Sequence, residues 1–299
     1  MTDLRYMRDA IHSFISFEKD GLINKIIDTE EFQRLKYIRQ LGLSYFTYPS
    51  ALHSRFSHSL GAFWLSHRVG NLLIEDKDKR KNLEIAALLH DIGHGPFSHA
   101  LEKEIKPDKG HGEISKELIE SDKYDISGLL EEEGIQPKEI SEILTSGAVR
   151  PKYLHRLISS QLDIDRFDYL LRDSLMSGNP HGSFDIERII QTIKINNQDE
   201  IYVKKGGWYA VEHYLNCRYQ MHKQVYHHHS TIAAEELIKK IIDRFRYLHE
   251  KSEIEIEKKY IPLMKGEMNL SEFLEITDID ILNIVKLAKK NEDKILSDL

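Results

Sequence analysis

Apolar residues recur at helical spacing along almost the whole of this 299-residue chain, and this pattern predicts a mostly α-helical fold. No internal repeat, low-complexity tract or linker rich in Pro, Gly and Ser interrupts it. One non-helical element is predicted, at residues 192–196 and 200–205, which alternate polar and apolar positions around a polar turn, as a β-hairpin would. The predicted helices are 26–42, 57–75, 82–91, 97–105, 112–121, 137–146, 151–175, 185–191, 207–249 and 271–297.

Charge and composition exclude several classes of protein. The net charge of −7 argues against a surface that coats nucleic acid, so we expect nucleic acid not to be the main ligand. Cys217 is the only cysteine, which rules out an internal disulfide and favours a reducing compartment. No apolar run is long enough to cross a bilayer, and the first residues lack a signal-peptide pattern. We therefore expect a cytoplasmic protein without membrane association.

The 16 histidines are unevenly distributed, and seven of them crowd the stretch from His53 to His111. Because surface histidines are common, their setting must decide whether any of them binds a metal. His90 and Asp91 end the apolar run 85–89, which is typical of a helix that faces the core. Burying an imidazole beside a carboxylate is unfavourable unless a partner such as a metal ion compensates both groups. The pair is therefore a candidate metal site.

Two further residues are candidate ligands for the same ion. His58 lies on a predicted helix that could pack beside the helix that precedes the His-Asp pair. Asp165 begins a segment in which Asp165, Tyr169 and Asp173 share one helix face. Each residue taken alone has a simpler explanation, since Asp165 could cap a helix and His58 could be a hydrogen-bonded core histidine.

Five sequence blocks, in the same order, resemble those of the HD-domain metal-dependent phosphohydrolases. The blocks are IIDTEEFQRLKYIRQLG, HSRFSHSLG, LLHDIGHGPFSHALE, DIDRFDYLLRD and CRYQMHKQVYHH. The likeness is greatest to the deoxynucleoside triphosphate triphosphohydrolases, although we expect no sterile-alpha-motif domain of the vertebrate type here. It implies an HD-type phosphohydrolase domain over 1–249, with its metal core near 50–175, and a small C-terminal helical subdomain over 250–299.

The resemblance also implies the catalytic machinery. The implied metal ligands are His58, His90, Asp91 and Asp165. Two imidazoles with two carboxylates suit one divalent transition metal, namely Mn, Fe, Co, Ni or Zn. The implied catalytic residues are His111, as acid or base near the scissile phosphate, Glu102, which would hold the tautomer of His111, and His94.

Two groups of residues are implied to bind the substrate. Those expected near the phosphates are Arg55, His99, Arg166, Arg218 and His222. Those expected near the sugar are Gln40 and Asp173, at the 3′-hydroxyl, and Leu41, Tyr169 and Tyr226, which would leave no space for a 2′-hydroxyl. A solvated helix face is the plainer explanation of the spacing of Arg218, His222 and Tyr226.

The implied reaction is attack at the α-phosphorus of a deoxynucleoside triphosphate, which releases deoxynucleoside and tripolyphosphate, with Mg²⁺ accompanying the triphosphate. One alternative is hydrolysis of another nucleotide, such as a monophosphate, a cyclic dinucleotide or a short oligonucleotide. Another alternative is a nucleotide sensor without turnover. Members of this family generally assemble, so we expect a homo-oligomer, either a dimer or a tetramer.

Overall fold

The structure, a computed structural model, describes residues 3–106, 108–145 and 149–299, but not the side chain of His99. Its helices are α1 (Leu22–Ile27), α2 (Glu30–Gln33), α3 (Arg55–Leu73), α4 (Lys77–Leu89), α5 (Glu102–Ile105), α6 (His111–Glu120), α7 (Asp125–Glu132), α8 (Pro137–Thr145), α9 (Lys152–Ile158), α10 (Ile164–Ser177), α11 (Ile186–Thr192), α12 (Trp208–Met221), α13 (His229–Glu250), α14 (Ile261–Lys265), α15 (Leu270–Glu275), α16 (Asp278–Lys289) and α17 (Lys294–Asp298). Its strands are β1 (Leu4–Asp9), β2 (Ser13–Glu18), β3 (Ile193–Ile195) and β4 (Ile201–Val203). The mostly helical prediction is confirmed.

The predicted hairpin is present, with β3 antiparallel to β4 and Ile193 opposite Val203. A second hairpin, which the sequence analysis missed, joins β1 to β2 with Leu4 opposite Glu18. Its signal was present in the sequence, because the segment SFISFE alternates and buries every second residue, namely Ile15 and Phe17.

The single helix predicted over 26–42 is wrong. The Thr29 side chain accepts a hydrogen bond from the backbone N–H of Phe32, and this cap starts α2 as a separate short helix after α1. A 3₁₀ turn over Arg34–Tyr37 follows, and the chain is then extended enough for Arg39 to bridge to Ser54. Because helical structure ends at Tyr37, residues 38–41 form a loop and not the end of a helix.

Four other predicted helices are interrupted, mostly where polar side chains bind backbone groups. The segment 97–105 contains a 3₁₀ turn before α5. Asp163 caps α10, so 151–175 is two helices, and the capping box at Thr277 and the cap at Asp293 divide 271–297. The segment 207–249 divides at a π-helical turn over His222–Tyr226. Residue 146, at the end of another predicted helix, lies outside the described residues.

Helix α3 packs against both α4 and α10 in the middle of the molecule, and the predicted metal ligands lie on α3, on α10 and directly after α4. Gly61 on α3 makes this approach possible, because an added Cβ would lie 1.9 Å from Oδ1 of Asp168 on α10. A buried core extends from Ile15 to Leu296 and includes Phe273 and Ile284 of the last helices. A division of the chain into 1–249 and 250–299 stays a prediction.

Among the residues that the structure describes, no helix has both the length and the apolar character that a membrane span requires.

Gly93 allows α6 to approach the turn that follows His90 and Asp91. Its N–H donates to Oγ of Ser115 over 2.9 Å, and an added Cβ would lie 2.2 Å from the carbonyl oxygen of His111. Gly112, one residue into α6, faces open space, and a Cβ added there would have no atom of the described residues within 4 Å.

We expect Gly93→Ala to lower the free energy of unfolding by about 1–3 kcal/mol, because the backbone of α6 must move away. Gly112→Ala is the matched control, and we expect it to be neutral or stabilising because alanine favours helix. Chemical denaturation followed by circular dichroism measures both. Equal stability of the two variants would contradict the close approach.

Candidate metal centre and active site

Three predicted ligands converge on one point between α3, α4 and α10. Nε2 of His58 lies 3.1 Å from Nε2 of His90 and 3.1 Å from Oδ1 of Asp165. Nε2 of His90 lies 3.5 Å from the same oxygen. A cation about 2.0–2.2 Å from each ligand atom would separate these atoms by about 3.0–3.6 Å. The spacing therefore fits a bound divalent ion.

The hydrogen bonds of both imidazoles leave lone pairs directed at this point. Nδ1 of His90 donates to the backbone carbonyl of Ala87 over 2.8 Å. Nδ1 of His58 donates to Oδ2 of Asp168, also over 2.8 Å. Each neutral ring then carries its only proton on Nδ1, so both Nε2 atoms face each other and a carboxylate as acceptors. Such a cluster needs a cation between its members.

The electrostatics of His58 show the same preference for positive charge. Burial lowers the pKa of His58, but hydrogen bonds to Asp165 and Asp168 outweigh burial and raise this pKa to about 10. A proton therefore occupies the cluster when no metal does.

Asp91, the fourth predicted ligand, lies at the edge of the cluster. Its Oδ2 is 3.7 Å from Nε2 of His58, and its Oδ1 is 3.4 Å from Nε2 of His90. Oδ2 also pairs with Arg55, and Oδ1 lies 3.3 Å from Nε2 of His94. Burial raises the pKa of Asp91, but these cations and rings outweigh it and hold the pKa well below its usual value. The carboxylate is thus charged and shared between the cluster and Arg55.

Asp168 orients the cluster through its hydrogen bond to Nδ1 of His58, and the sequence analysis did not predict this role. Its buried carboxylate accepts hydrogen bonds from His58, from Nε2 of His12 at 2.7 Å, and from Nε and Nη2 of Arg172, each at 2.9 Å. Arg172 in turn pairs with Asp9. The i, i+4 spacing of Asp168 and Arg172 was a signal for an ion pair, although not for a contact with the metal ligand.

His94 and His111 stack at one side of the cluster, with ring centroids 4.0 Å apart and an interplanar angle of 14°. Nδ1 of His111 is 3.0 Å from Oε1 of Glu102, and the backbone N–H of His111 donates to the same oxygen over 2.6 Å. Burial, followed by the charge of Arg55, lowers the pKa of His94 well below its usual value, so His94 stays neutral. The three predicted catalytic residues therefore lie together.

A cavity of about 620 Å³ opens over the cluster. Predicted residues that line it are Gln40, Leu41, Arg55, His90, Asp91, His94, His111, Asp165, Tyr169, Asp173, His222 and Tyr226. A larger cavity, of about 860 Å³, lies elsewhere and shares no lining residue with it. The smaller one is the candidate active site because three predicted metal ligands, His90, Asp91 and Asp165, line it.

The predicted sugar-binding residues form one polar group in this cavity. Asp173 is buried and accepts hydrogen bonds from the hydroxyl of Tyr226 at 2.8 Å and from Nε2 of His53 at 2.7 Å. Burial, together with the charge of Asp173, raises the pKa of Tyr226, so its hydroxyl stays a donor. Oε1 of Gln40 is buried without a hydrogen-bond partner in the described part of the chain. His53 was not predicted.

The predicted phosphate-binding residues are more scattered. Arg55 lines the cavity but is committed to Asp91 and to Oγ of Ser98. Arg166 pairs with Asp163, and Arg218 donates to Gln161 over 2.8 Å. Neither Arg166 nor Arg218 is among the described residues that line the cavity, although both lower the pKa of His222 after the larger effect of burial. The side chain of the remaining residue, His99, lies outside the described residues.

The last helices support the loops of this site. Asp278, at the start of α16, accepts the backbone N–H of Arg39 at 2.9 Å and that of Phe97 at 2.8 Å. Phe97 and Ser98 both have positive φ angles, of 51° and 52°, which are uncommon for residues with a Cβ. Buried Arg34 donates to the carbonyl oxygen of His94 over 2.9 Å. Contacts from distant segments therefore hold both loops in place.

Comparison with known proteins agrees with this arrangement. Residues 55–173 match the family described as HD domain, and residues 184–298 match the family described as HD associated region. The protein YwfO of Bacillus subtilis is 35% identical over 306 residues, which cover 100% of this chain and 70% of YwfO. A phosphohydrolase crystal structure from Bacteroides thetaiotaomicron superimposes with a TM-score of 0.90 at 32% identity, over 99% of this chain and 75% of that one.

The name of another relative states an enzymatic activity. The deoxynucleoside triphosphate triphosphohydrolase SAMHD1 of Bos taurus is 32% identical over 272 residues. The match covers 75% of this chain but only 45% of that protein, so the two chains share less than half of the longer one.

We expect Asp165→Ala to weaken divalent-metal binding by more than about 100-fold, because outer-shell changes alone cost 10–100-fold. The side chain of Asp165 is 32% exposed, so the fold should tolerate its loss. Asp298→Ala, at an exposed carboxylate of α17, is the control and should leave binding unchanged. Titration of metal-free protein with Mn²⁺ provides the measurement. Unchanged affinity in Asp165→Ala would refute the assignment.

Proposed function

Because the chain belongs to the HD-domain superfamily of phosphohydrolases, we propose that it hydrolyses deoxynucleoside triphosphates to deoxynucleoside and tripolyphosphate. The observation that carries the proposal is one cavity that contains a metal-ligand cluster, a histidine oriented by a carboxylate, and a Tyr-Asp pair of the kind that holds a sugar hydroxyl. The likeness to a named triphosphohydrolase supports the same substrate class.

The ligand set fits one divalent transition ion, which we propose is held by His58, His90, Asp91 and Asp165. Such an ion, when bound, supplies Lewis-acid activation of the phosphoryl group and of the attacking water. Mg²⁺ would accompany the triphosphate itself. The carboxylate of Asp168 accepts from Nδ1 of His58, and the carbonyl of Ala87 accepts from Nδ1 of His90. These bonds fix the tautomers, so Nε2 of each ring would face the ion.

We propose that His111 transfers the proton of the reaction. Its Nδ1 is held by Glu102, and its ring lines the cavity in which the substrate would bind. As water attacks the α-phosphorus, the bond to the 5′-oxygen breaks, and an imidazolium Nε2–H can protonate that oxygen. Neutral His94 is stacked on His111 and directs its single N–H at Oδ1 of Asp91, so we propose that it positions both the ring of His111 and this carboxylate.

The cations of the site would bind the phosphates. Arg55 is buried beside the cluster, and its guanidinium retains donors after its bonds to Asp91 and Ser98. We propose that Arg166, Arg218, His222 and His99 contact the distal phosphates. Arg166 now pairs with Asp163, and Arg218 donates to Gln161, so each arginine would exchange this acceptor for a phosphate oxygen.

The sugar group would select deoxyribose. Each carboxylate oxygen of Asp173 has a second lone pair beyond its bond to His53 or Tyr226, so it can still accept a 3′-hydroxyl. The unpartnered Oε1 of Gln40 is a second acceptor at the cavity wall. Tyr169 meets Tyr226 edge to face, with centroids 6.0 Å apart. With Leu41, these rings would occupy the space that a 2′-hydroxyl requires.

We also propose that the protein is cytoplasmic and assembles as a dimer or tetramer. Several large apolar side chains of α12 are exposed in the single chain, which supports an additional partner surface; they are Trp208, Tyr209, Leu215 and Tyr219.

The substrate is tested by incubating purified protein with each dNTP and each rNTP, with Mg²⁺ and Mn²⁺, singly and as mixtures that could supply an activator. We expect tripolyphosphate and deoxynucleoside from dNTPs, identified by ion-exchange chromatography. The double variant His90→Ala/Asp91→Ala is the blank. Orthophosphate as the product, or turnover only of monophosphates, cyclic dinucleotides or oligonucleotides, would replace this proposal with another phosphohydrolase activity. Binding without any turnover would indicate a sensor.

The role of His111 predicts that His111→Asn lowers kcat by about 10²–10⁴-fold with little change in KM, because a positioned acid is lost. Glu102→Gln keeps an acceptor for Nδ1 but removes its charge, so we expect a smaller loss and an altered pH profile. His213→Asn, at an exposed residue of α12, is the control. A pH profile unchanged in Glu102→Gln would contradict the orienting role.

A further inference from the structure

The cavity of about 860 Å³ lies behind the metal cluster, between the turn of the N-terminal hairpin, α3 and the end of α10. Its volume is within the range of ligand sites, about 300–1,000 Å³. It shares no lining residue with the proposed active site, and the proposed reaction gives it no role. The cavity therefore needs an explanation of its own.

Two buried polar side chains line this cavity, and one of them, Ser174, donates its hydroxyl to the carbonyl oxygen of Asn179 over 2.6 Å. The other is His12. Its side chain is only 4% exposed, and its Nε2 donates to Oδ1 of Asp168 over 2.7 Å. In the neutral form of the ring the proton is on Nε2, because a carboxylate can only accept, and Nδ1 keeps a lone pair. Nδ1 has no hydrogen-bond partner among the residues that the structure describes. The turn itself is held rigid, because Asp9 accepts the backbone N–H groups of Ile11 and His12.

The remaining walls indicate an uncharged, largely flat ligand. The large apolar side chains that line the cavity are Ile11, Trp64, Leu171, Leu175 and Ile186, and the small polar ones, Ser13, Ser174, Asn179 and Ser183, are uncharged. The lining charges, Arg68 and Glu187, form an ion pair and so compensate each other. Trp64 lines the cavity and stacks on His67 with an interplanar angle of 13°, a contact that restricts the orientation of its indole. A neutral aromatic ring with one N–H donor would satisfy both Trp64 and Nδ1 of His12.

Two hydrogen bonds join this cavity to the metal cluster. His12 binds Oδ1 of Asp168, and Oδ2 of the same carboxylate binds Nδ1 of His58 over 2.8 Å. Outer-shell partners of this kind set the orientation and basicity of a ligating imidazole. We propose that the cavity binds an uncharged aromatic heterocycle of nucleobase or nucleoside size, and that His12 and Asp168 transmit its binding to His58. The proposal does not depend on which phosphoester the active site cleaves.

Binding is tested through Trp64. The chain has two tryptophans, and Trp208→Phe, at a residue that is 60% exposed, leaves Trp64 as the only one. Deoxyadenosine, deoxyguanosine, deoxycytidine and thymidine are each titrated, and we expect at least one to change the emission of Trp64 saturably. Leu175→Phe, added to this background, should fill the cavity and weaken the response at least about tenfold. Leu72→Phe, an equally exposed leucine outside the cavity, should not weaken it.

Transmission is tested on the Co²⁺-substituted protein, whose visible absorption spectrum reports the geometry of the ligands independently of turnover. We expect the bound nucleoside to shift this spectrum, and Leu175→Phe to abolish the shift. His12→Gln keeps an N–H donor for Asp168 but loses the ring Nδ1, so it should weaken nucleoside binding at least about fivefold. Absence of any emission change overturns the ligand class. A saturable emission change with an unchanged Co²⁺ spectrum overturns the transmission.

Discussion

The buried carboxylate of Asp168 is the interaction on which the site depends. It accepts hydrogen bonds from His58 of the metal cluster, from His12 of the first hairpin turn and from Arg172 of its own helix. Three donors offset the cost of removing this charge from water, and burial without them would be strongly unfavourable. Gly61 leaves the space in which they meet. The same contacts that fix the tautomer of a metal ligand therefore also join the N-terminal hairpin to the central helices.

The helical class could be predicted because it depends on local periodicity, whereas the candidate metal ligands were predicted from the order of the family blocks. Periodicity indicated α3 and α4, and the family blocks carried His58, His90 and Asp165, whose ligand atoms do converge. Helix boundaries were predicted less well, since one capping side chain such as Thr29 or Asp163 divides a continuous apolar pattern. The π-helical turn at His222 had no local signal that we could identify.

Contacts between distant segments could not be predicted from one sequence. His12 meets Asp168 across 156 residues, and Asp278 meets Phe97 across 181. Neither pair has a characteristic spacing, because its partners lie on separate elements that only the tertiary fold brings together. The roles of the substrate-binding residues stay predictions, and the present pairing of Arg166 with Asp163 shows that a residue's type alone does not fix its partner.

The hydrogen bonds that Asp278 accepts from the backbone of Arg39 and Phe97 affect the free energy with which the site can bind a ligand. Ordering a loop costs conformational entropy, and a site that orders its loops only around substrate loses that amount from its affinity. Here the loops are held by a carboxylate that does not line the cavity, and burial raises the pKa of this group to about 6, which is still below neutrality. The entropy of ordering Arg39 and Phe97 is therefore lost during folding and not when a ligand binds.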